Sequence, residues 1–513
     1  MKKKFNITGL CVKDKHYMVD ISDKIEQIVT MVDEGEYFTI NRPRQFGKTT
    51  TLNVLREALS EKYAVIDSSF EGVGDNLFDT EEGFCKRVFK TFADSIRFTD
   101  KETHQLLLKY NTSKNFGELS DAITEFVLES RKKIVLLIDE VDKSSNNRIF
   151  LQFLGVLRNK YLSASANKDF TFQSVILAGV HDVRTLKLAM RDESDKRFNS
   201  PWNIAAKFEV DMSFNAHEIG SMLLDYQSET GIGFDVNAIA EQIHMFTSGY
   251  PYLVSDICKT VDEKLGAVWT EESIYMAVKA ILNEKNTLFE DVIKNIENNE
   301  DIKSVTNELL LSGSHISFHP FSYEAGIMYG IFRNDKGKVV IHNKIFEELI
   351  YGYMTEKSNI RKLQVRISEN ELNQFTKADD LDMERILLKF QDFMYEEYRS
   401  EDEKFYESQG RLIFLAYLKP ILNGKGFYFV EPQTRENRRL DVVVIYNKHK
   451  YIVELKLWNG EKYHEKGREQ LARYLHIQNI DIGYLLVFNF NKSKEKSSDW
   501  VTVEDKKLFE VIL

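Results

Sequence analysis

Gly47, Lys48 and Thr49 lie in the run Ile40-Asn41-Arg42-Pro43-Arg44-Gln45-Phe46-Gly47-Lys48-Thr49-Thr50, and the chemistry these types suit is phosphate binding. A glycine lets backbone approach an anion closely, and the amides that open a helix face that anion. Lys48 can bridge terminal phosphates and Thr49 can hold Mg²⁺; Arg44 and Thr50 join them as nucleotide contacts. Such loops usually carry glycine five positions before Gly47, where this chain has Arg42. A basic turn ahead of an ordinary helix is the competing reading. Asp139 and Glu140 weigh against it. They end the apolar run Ile134-Val135-Leu136-Leu137-Ile138, where Asp139 could complete a metal shell and Glu140 could orient or deprotonate water.

A second constellation lies near the other end. Glu454 and Lys456, two apart in Tyr451-Ile452-Val453-Glu454-Leu455-Lys456-Leu457, share one strand face. Asp441, on the neighbouring strand of a hairpin, can meet them. Carboxylates in this arrangement bind Mg²⁺ beside a phosphodiester, and the lysine steadies the nucleophile or the developing charge. Glu407 can add a carboxylate. Gln470 and Tyr474, four apart on one helix face, can orient Lys456 or the water. A surface hairpin with routine Lys/Glu pairs is the bland alternative. Arg435, Arg438, Arg439, Lys462, Lys466, Arg468 and Arg473 are candidates for contacts with a nucleic-acid backbone, and each could equally belong to a solvated face.

The elements that must position these groups are legible in outline. Glu36–Ile40 reads as a strand before the loop, and Leu52, Leu55 and Leu59 follow it at helical spacing. Strands are expected at Tyr63–Asp67, Ile134–Asp139, Ser174–Gly179 and Lys207–Met212, giving a five-stranded parallel sheet. His181 and Asp182 could sense a terminal phosphate. Arg184, Arg191 or Arg197 could act as a finger arginine, and nothing ranks them. The lead-in 5–35 carries one helix. Residues 213–300 read as helical, broken at Gly249-Tyr250-Pro251. Residues 301–355 read as short helices with a hairpin over Phe332–Ile341, a winged-helix pattern. Residues 356–400 read as helical connection.

The 513 residues allow three or four domains. No run of 18 or more apolar residues suggests a membrane span, and no apolar stretch follows the basic N-terminus. Cys11, Cys85 and Cys258 are too scattered for a disulfide framework or zinc cluster, which fits a reducing cytoplasm. Residues 401–513 hold 19 Lys and Arg against 17 Asp and Glu, and the rest hold 50 against 63. A local basic patch can therefore bind nucleic acid although the whole chain is acidic.

Two resemblances converge on this picture. Residues 17–230 resemble the bacterial and archaeal AAA-ATPase-like family, whose loop commonly reads Arg-Pro-Arg-Arg-Phe-Gly-Lys-Ser; here it is Arg42-Pro43-Arg44-Gln45-Phe46-Gly47-Lys48-Thr49. Asp139 and Glu140 match its metal and water carboxylates. Ser200-Pro201-Trp202-Asn203 also looks familiar. Gly249-Tyr250-Pro251 is similar to signal-transducing ATPases with a helical and winged-helix extension. Residues 407–490 resemble the PD-(D/E)XK nuclease superfamily, with Asp441, Glu454, Lys456 and Gln470 on its motif and Leu440 where a proline usually stands.

The resemblances imply an α/β chain: a P-loop NTPase parallel sheet with helical and winged-helix extension, then a restriction-endonuclease-like α/β domain. The expected division is 1–235 NTPase, 236–300 helical lid, 301–360 winged-helix-like, 361–400 helical connection and 401–513 nuclease-like. ATP and Mg²⁺ are the implied cofactors, with DNA the expected nucleic acid, no membrane, and a homo-oligomer or partner protein open. Glu140, Asp441, Glu454, Lys456 and Gln470 would be catalytic. Arg44, Gly47, Lys48, Thr49, Thr50 and Asp139 would bind the nucleotide. Thr49, Asp139, Asp441, Glu454 and Glu407 would hold metal. The rival of another class is a nucleotide-dependent switch whose nuclease-like domain only binds a partner.

Overall fold

The computed structural model describes residues 2–70, 79–141, 148–180, 202–312, 316–318, 323–357, 373–377, 380–397, 407–422, 426–432, 440–447, 449–489 and 496–513. By contacts the chain falls into two units: Met1–His244, Ser248–Trp269 and Met328–Gly330 form the first, and the remainder forms the second.

In the first unit, α1 (Ser22–Asp33) buries Ile25, Ile28 and Val32 on one face. Four strands follow: β1 (Phe38–Asn41), β2 (Ala64–Ser69), β3 (Ile134–Asp139) and β4 (Ser174–Gly179). They pair in parallel in the order β1-β4-β3-β2. Every residue of β3 and β4 is buried, as the continuous apolar runs require of central strands covered on both faces. Between β1 and β2 lies α2 (Lys48–Leu59); between β2 and β3 come α3 (Glu81–Ile96), α4 (Lys101–Lys109) and α5 (Phe116–Glu129). Thr80, Asp100 and Asn115 cap these last three by accepting an amide proton three residues on. α6 (Arg148–Ser165) connects β3 to β4, and its Phe150 and Phe153 join Phe84, Phe92 and Trp202 in the core.

The expected fifth strand does not form. Lys207–Met212 keeps its alternation, with Val210 and Met212 buried, but among the described residues it makes no bridge to the sheet; the residue before it, Ala206, makes an isolated bridge to Phe38. The carbonyl of Val210 instead accepts from the Arg42 guanidinium at 2.6 Å, so a side chain takes the acceptor a ladder would use. The unit continues with α7 (Ala216–Thr230), α8 (Val236–Thr247, whose last three residues count with the second unit) and α9 (Pro251–Lys264).

The second unit opens with α10 (Glu271–Leu282), α11 (Thr287–Asn298) and α12 (Glu300–Asn307), which runs into a π-helical turn over Glu308–Ser312. A three-stranded sheet of β5 (Ile316–Ser317), β6 (Phe332–Asp335) and β7 (Lys338–Ile341) is ordered β5-β7-β6, with α13 (Glu324–Met328) before β6. The β6–β7 hairpin turns at Lys336 and Gly337, both at positive φ, as the Asp-Lys-Gly signal anticipates. α14 (Lys344–Lys357) follows. A short pair, β8 (Thr376–Lys377) and β9 (Asp380–Leu381), precedes α15 (Met383–Glu397). α15 packs on the C-terminal sheet, where Gln391 Nε2 donates to the carbonyls of Ile512 and Ser497.

After α16 (Glu407–Leu422) that sheet has six strands: β10 (Gly426–Pro432), β11 (Leu440–Tyr446), β12 (His449–Leu457), β13 (Ile482–Phe488), β14 (Ser497–Val503) and β15 (Lys506–Ile512). Their order is β10-β11-β12-β13-β15-β14. The first three form an antiparallel meander; β13 and β15 add in parallel, and β14 closes the edge antiparallel. α17 (Glu461–Ile477) makes the crossover from β12 to β13. Gly483 lets it lie close, since a Cβ there would stand 2.7 Å from Leu475. Two side chains bind the middle of this unit to its C-terminal part. Glu348 Oε1 accepts from the Val430 amide, and buried Arg411 donates to the Leu310 carbonyl and the Tyr351 hydroxyl. Among the described residues no helix is long and apolar enough to cross a membrane, and the three cysteines are free.

Candidate functional site

At the end of β1 the chain turns over and starts α2. Gln45 (φ 56°) and Gly47 (φ 76°) take left-handed conformations, and Gly47 caps the helix. Arg42 does not, so the position that usually carries glycine needs none here. Its guanidinium leaves the loop altogether: it donates to Asn41 O and Val210 O and lies 5.3 Å over the Phe208 ring. The departure from the usual pattern thus concerns a part-buried side chain held by Val210 and Phe208.

Lys48 Nζ donates to the carbonyls of Arg42 and Pro43, 2.9 Å each. Thr49 Oγ1 donates to Asp139 Oδ2 at 3.0 Å. The Asp139 carboxylate is nearly buried, and its Oδ1 accepts from the Glu140 amide at 2.8 Å. Glu140 takes φ 54°, so β3 ends in a sharp turn directly at the carboxylate pair. Hydroxyl and carboxylate oxygen are the donors Mg²⁺ prefers, so this pair fits the metal. A cavity of about 550 Å³ lies over these groups, lined by Arg44, Gly47, Lys48, Thr49, Thr50, Asp139 and Glu140 among others. These loop and strand-end residues thus border one space.

Sequence reasoning missed the rest of that lining. The lead-in contributes Ile7, Leu10, Cys11 and Met18, and the later chain contributes Met212, Phe214 and Met222. The Cys11 amide donates to Thr50 Oγ1, which ties the lead-in to α2. Nothing in those residue types announces a pocket. Tyr250 was visible only as a helix elbow. Its hydroxyl donates to Arg44 O at 2.6 Å, and its ring meets Phe46 edge-on. Gly249 (φ 72°) is required there, because a Cβ would stand 2.0 Å from Phe214 O. Trp202 belongs to the hydrophobic core, and Asn203 accepts from Arg158. His181, Asp182, Arg184, Arg191, Arg197, Ser200 and Pro201 lie outside the described residues.

In the second unit, Glu454 and Lys456 point to the α17 side of β12, 1% and 5% exposed, with Lys456 Nζ 3.2 Å from Glu454 Oε1. Gly467 of α17 packs on the lysine stem, where a Cβ would make ordinary contact 3.6 Å from Lys456 Cε. Tyr463, one turn earlier and not anticipated, holds its ring centroid 5.4 Å from Nζ. Gln470 is half-buried three residues after Gly467, and Tyr474 is half-buried four further on. In β11, Val442 pairs with Val453, so extending the register by one sets the Asp441 backbone opposite Glu454. Of Asp441 and Glu407, the first residue of α16, only the backbone is described.

Arg468, a candidate for backbone contacts, is engaged elsewhere. It grips Glu510 of β15 through Nε at 2.7 Å and Nη2 at 2.9 Å. His464 Nε2 stands 2.9 Å from the same carboxylate. Burial raises the Glu510 pKa, but the bonds from His464 and Arg468 outweigh it and hold it at about 2. Lys462, Lys466 and Arg473 are exposed on α17, whereas Arg435, Arg438 and Arg439 lie outside the described residues. Another group, His476, Glu504 and Asp505, gathers on the surface with ligand atoms within 4.8 Å of one another. The His476 ring already bonds to Asp505 at 2.7 Å.

Comparison with known proteins agrees with both halves. The model of the AAA-like domain matches residues 12–351, and that of the PD-(D/E)XK nuclease superfamily matches residues 427–499. No curated protein matches the chain. Among solved structures, the Walker-type ATPase of Pyrococcus abyssi is similar at 14% identity and TM-score 0.42, over 67% of this chain and 99% of that one. The ORC2 protein of Aeropyrum pernix, solved in ADPNP-ADP complexes, is similar at 10% identity and TM-score 0.33, over 68% and 97%. The ORC1 protein of the same organism, solved with DNA, gives 13% and 0.30, over 67% and 94%. The chain belongs to the AAA-like domain family, and its C-terminal sheet carries a domain of the PD-(D/E)XK nuclease superfamily.

Proposed function

We propose that the chain binds and hydrolyses ATP at the first site and that the nucleotide gates a Mg²⁺-dependent nuclease, acting on DNA, at the second. The observation that supports it best is the Thr49–Asp139 contact of 3.0 Å beside Lys48, which brings two distant stretches to one metal-suited point. Thr49 and Asp139 would hold the ion, Lys48 and the loop amides the phosphates, and Glu140 would orient the attacking water. At the second site Asp441, Glu454 and Glu407 would hold metal, with Lys456 beside the scissile phosphate and Gln470 and Tyr463 positioning it. Mg²⁺ supplies neutralisation of phosphate charge and a lowered water pKa. The helices over 236–300, the winged-helix-like part over 301–360 and the connection over 361–400 would carry the nucleotide signal to residues 401–513, in a cytoplasmic setting.

The test is a pair of assays, phosphate release and DNA cleavage, on wild type, Lys48→Ala and Lys456→Ala with and without ATP. Lys48→Ala should lose both phosphate release and ATP-dependent cleavage; Lys456→Ala should keep the first and lose the second. Equal cleavage by all three at every ATP level would remove the gating idea.

A second reading is a nucleotide-dependent switch whose nuclease-like domain only binds. It is favoured by the near-complete burial of Glu454 and Lys456, which leaves little room for a phosphodiester. DNA or partner binding that survives Glu454→Gln, with no cleavage by wild type in Mg²⁺ or Mn²⁺, would decide for it.

A further inference from the structure

Gly330, nearly three hundred residues from the phosphate loop, packs directly on it. Its φ is +71°, and a Cβ built on it would stand 2.6 Å from Pro43 Cγ, 2.8 Å from Pro43 Cβ and 3.5 Å from Tyr250 Cε2. Real Cβ atoms do not come this close, so any other residue must push Pro43 aside. Pro43 is buried, and its carbonyl is one of the two that receive Lys48 Nζ. The next carbonyl, of Arg44, is held by the Tyr250 hydroxyl. The loop backbone from Arg42 to Arg44 is thus gripped from inside by Lys48 and from outside by Tyr250 and Gly330. Met328–Gly330 belong to the first unit, although the residues before and after them in the chain belong to the second.

We propose that Gly330 is a positioning residue for the phosphate loop: by contact with Pro43 it fixes the backbone from which Lys48 and the loop amides meet the phosphates. This rests on the reading of the first site as an ATP site. A glycine at positive φ can also be needed for its own turn alone, and Gly337 provides the comparison. It too has positive φ (+84°), but nothing lies within 4 Å of its missing Cβ.

The experiment measures MgATP affinity and thermal unfolding of the full chain for wild type, Gly330→Ala, Gly337→Ala, Pro43→Gly and the Pro43→Gly/Gly330→Ala pair. Gly330→Ala should weaken ATP binding about tenfold or more, the size of coupling expected between touching groups. Gly337→Ala should leave the affinity unchanged while showing only the smaller loss of thermal stability that its positive φ imposes. Once Pro43→Gly removes the ring, adding Gly330→Ala should change the affinity by less than about twofold. Should Gly330→Ala alone fail to fold, that last comparison carries the test. A wild type that binds ATP, together with Gly330→Ala binding it equally well, overturns the proposal. So does a loss of affinity that persists undiminished in the Pro43→Gly background. A wild type that binds no nucleotide overturns the ATP reading and this proposal together.

Discussion

The Thr49 hydroxyl donates to Asp139 Oδ2 at 3.0 Å, joining the first turn of α2 to the carboxyl end of β3. The contact forms because parallel pairing through β4 sets the ends of β1 and β3 on one edge of the sheet. Asp139→Asn keeps an acceptor for Thr49 and removes the charge. Expected is a fall in Mg²⁺-dependent phosphate release of about 10- to 100-fold, the usual scale for partners that support a metal. Nucleotide binding without Mg²⁺ should change little. An Asp139→Asn protein with wild-type turnover at limiting Mg²⁺ would contradict the assignment.

The buried pair of Glu454 and Lys456 makes a stability prediction separate from catalysis. Removing one partner leaves the other charge inside the protein, so Lys456→Met should cost roughly 3 kcal/mol. Glu454→Gln/Lys456→Met removes both charges and should recover most of that loss, read as urea midpoints. A double variant no more stable than Lys456→Met would mean that the 3.2 Å pair is not coupled.

What was legible in the sequence was what strong local signals fix. The apolar runs of β3 and β4 became fully buried central strands, and Asp-Lys-Gly became the β6–β7 turn. Gly47-Lys48-Thr49 came to border one cavity with Asp139 and Glu140. The fifth strand failed because alternation reports a buried face and says nothing of pairing: the Val210 carbonyl is taken by Arg42, a residue noticed only as a missing glycine. The cavity walls from Ile7 to Met18 were hidden for a related reason, since apolar side chains look alike whether they meet protein or ligand. Arg468 looked available to a nucleic-acid backbone because its partner, Glu510, lies on a strand 42 residues away.

Gly249 should be intolerant for a purely local reason. An added Cβ would meet Phe214 O at 2.0 Å, and φ is +72°. Gly231 ends α7 at nearly the same φ (+73°) with nothing within 4 Å. Gly231→Ala should therefore cost about 1–2 kcal/mol, the left-handed penalty alone. Gly249→Ala adds a collision with backbone and should exceed roughly 4 kcal/mol or fail to fold. Equal unfolding temperatures for the two variants would show that Phe214 can move away freely.

Glu510 sets a pH dependence whose sign follows from its environment. Its folded pKa of about 2 lies below the ordinary 4.5, because the bonds from His464 and Arg468 outweigh burial. A depressed carboxyl contributes its full stabilisation above the unfolded pKa and loses it as pH falls through the folded one. Wild type should therefore lose on the order of 2 kcal/mol from this group between about pH 4.5 and 2. Glu510→Gln should start lower at pH 6 and show a shallower decline over that window. The difference between the two proteins, followed by urea unfolding from pH 6 downward, isolates the group from the other carboxylates. A constant difference across the window would mean that Glu510 is not the carboxylate that holds α17 to β15.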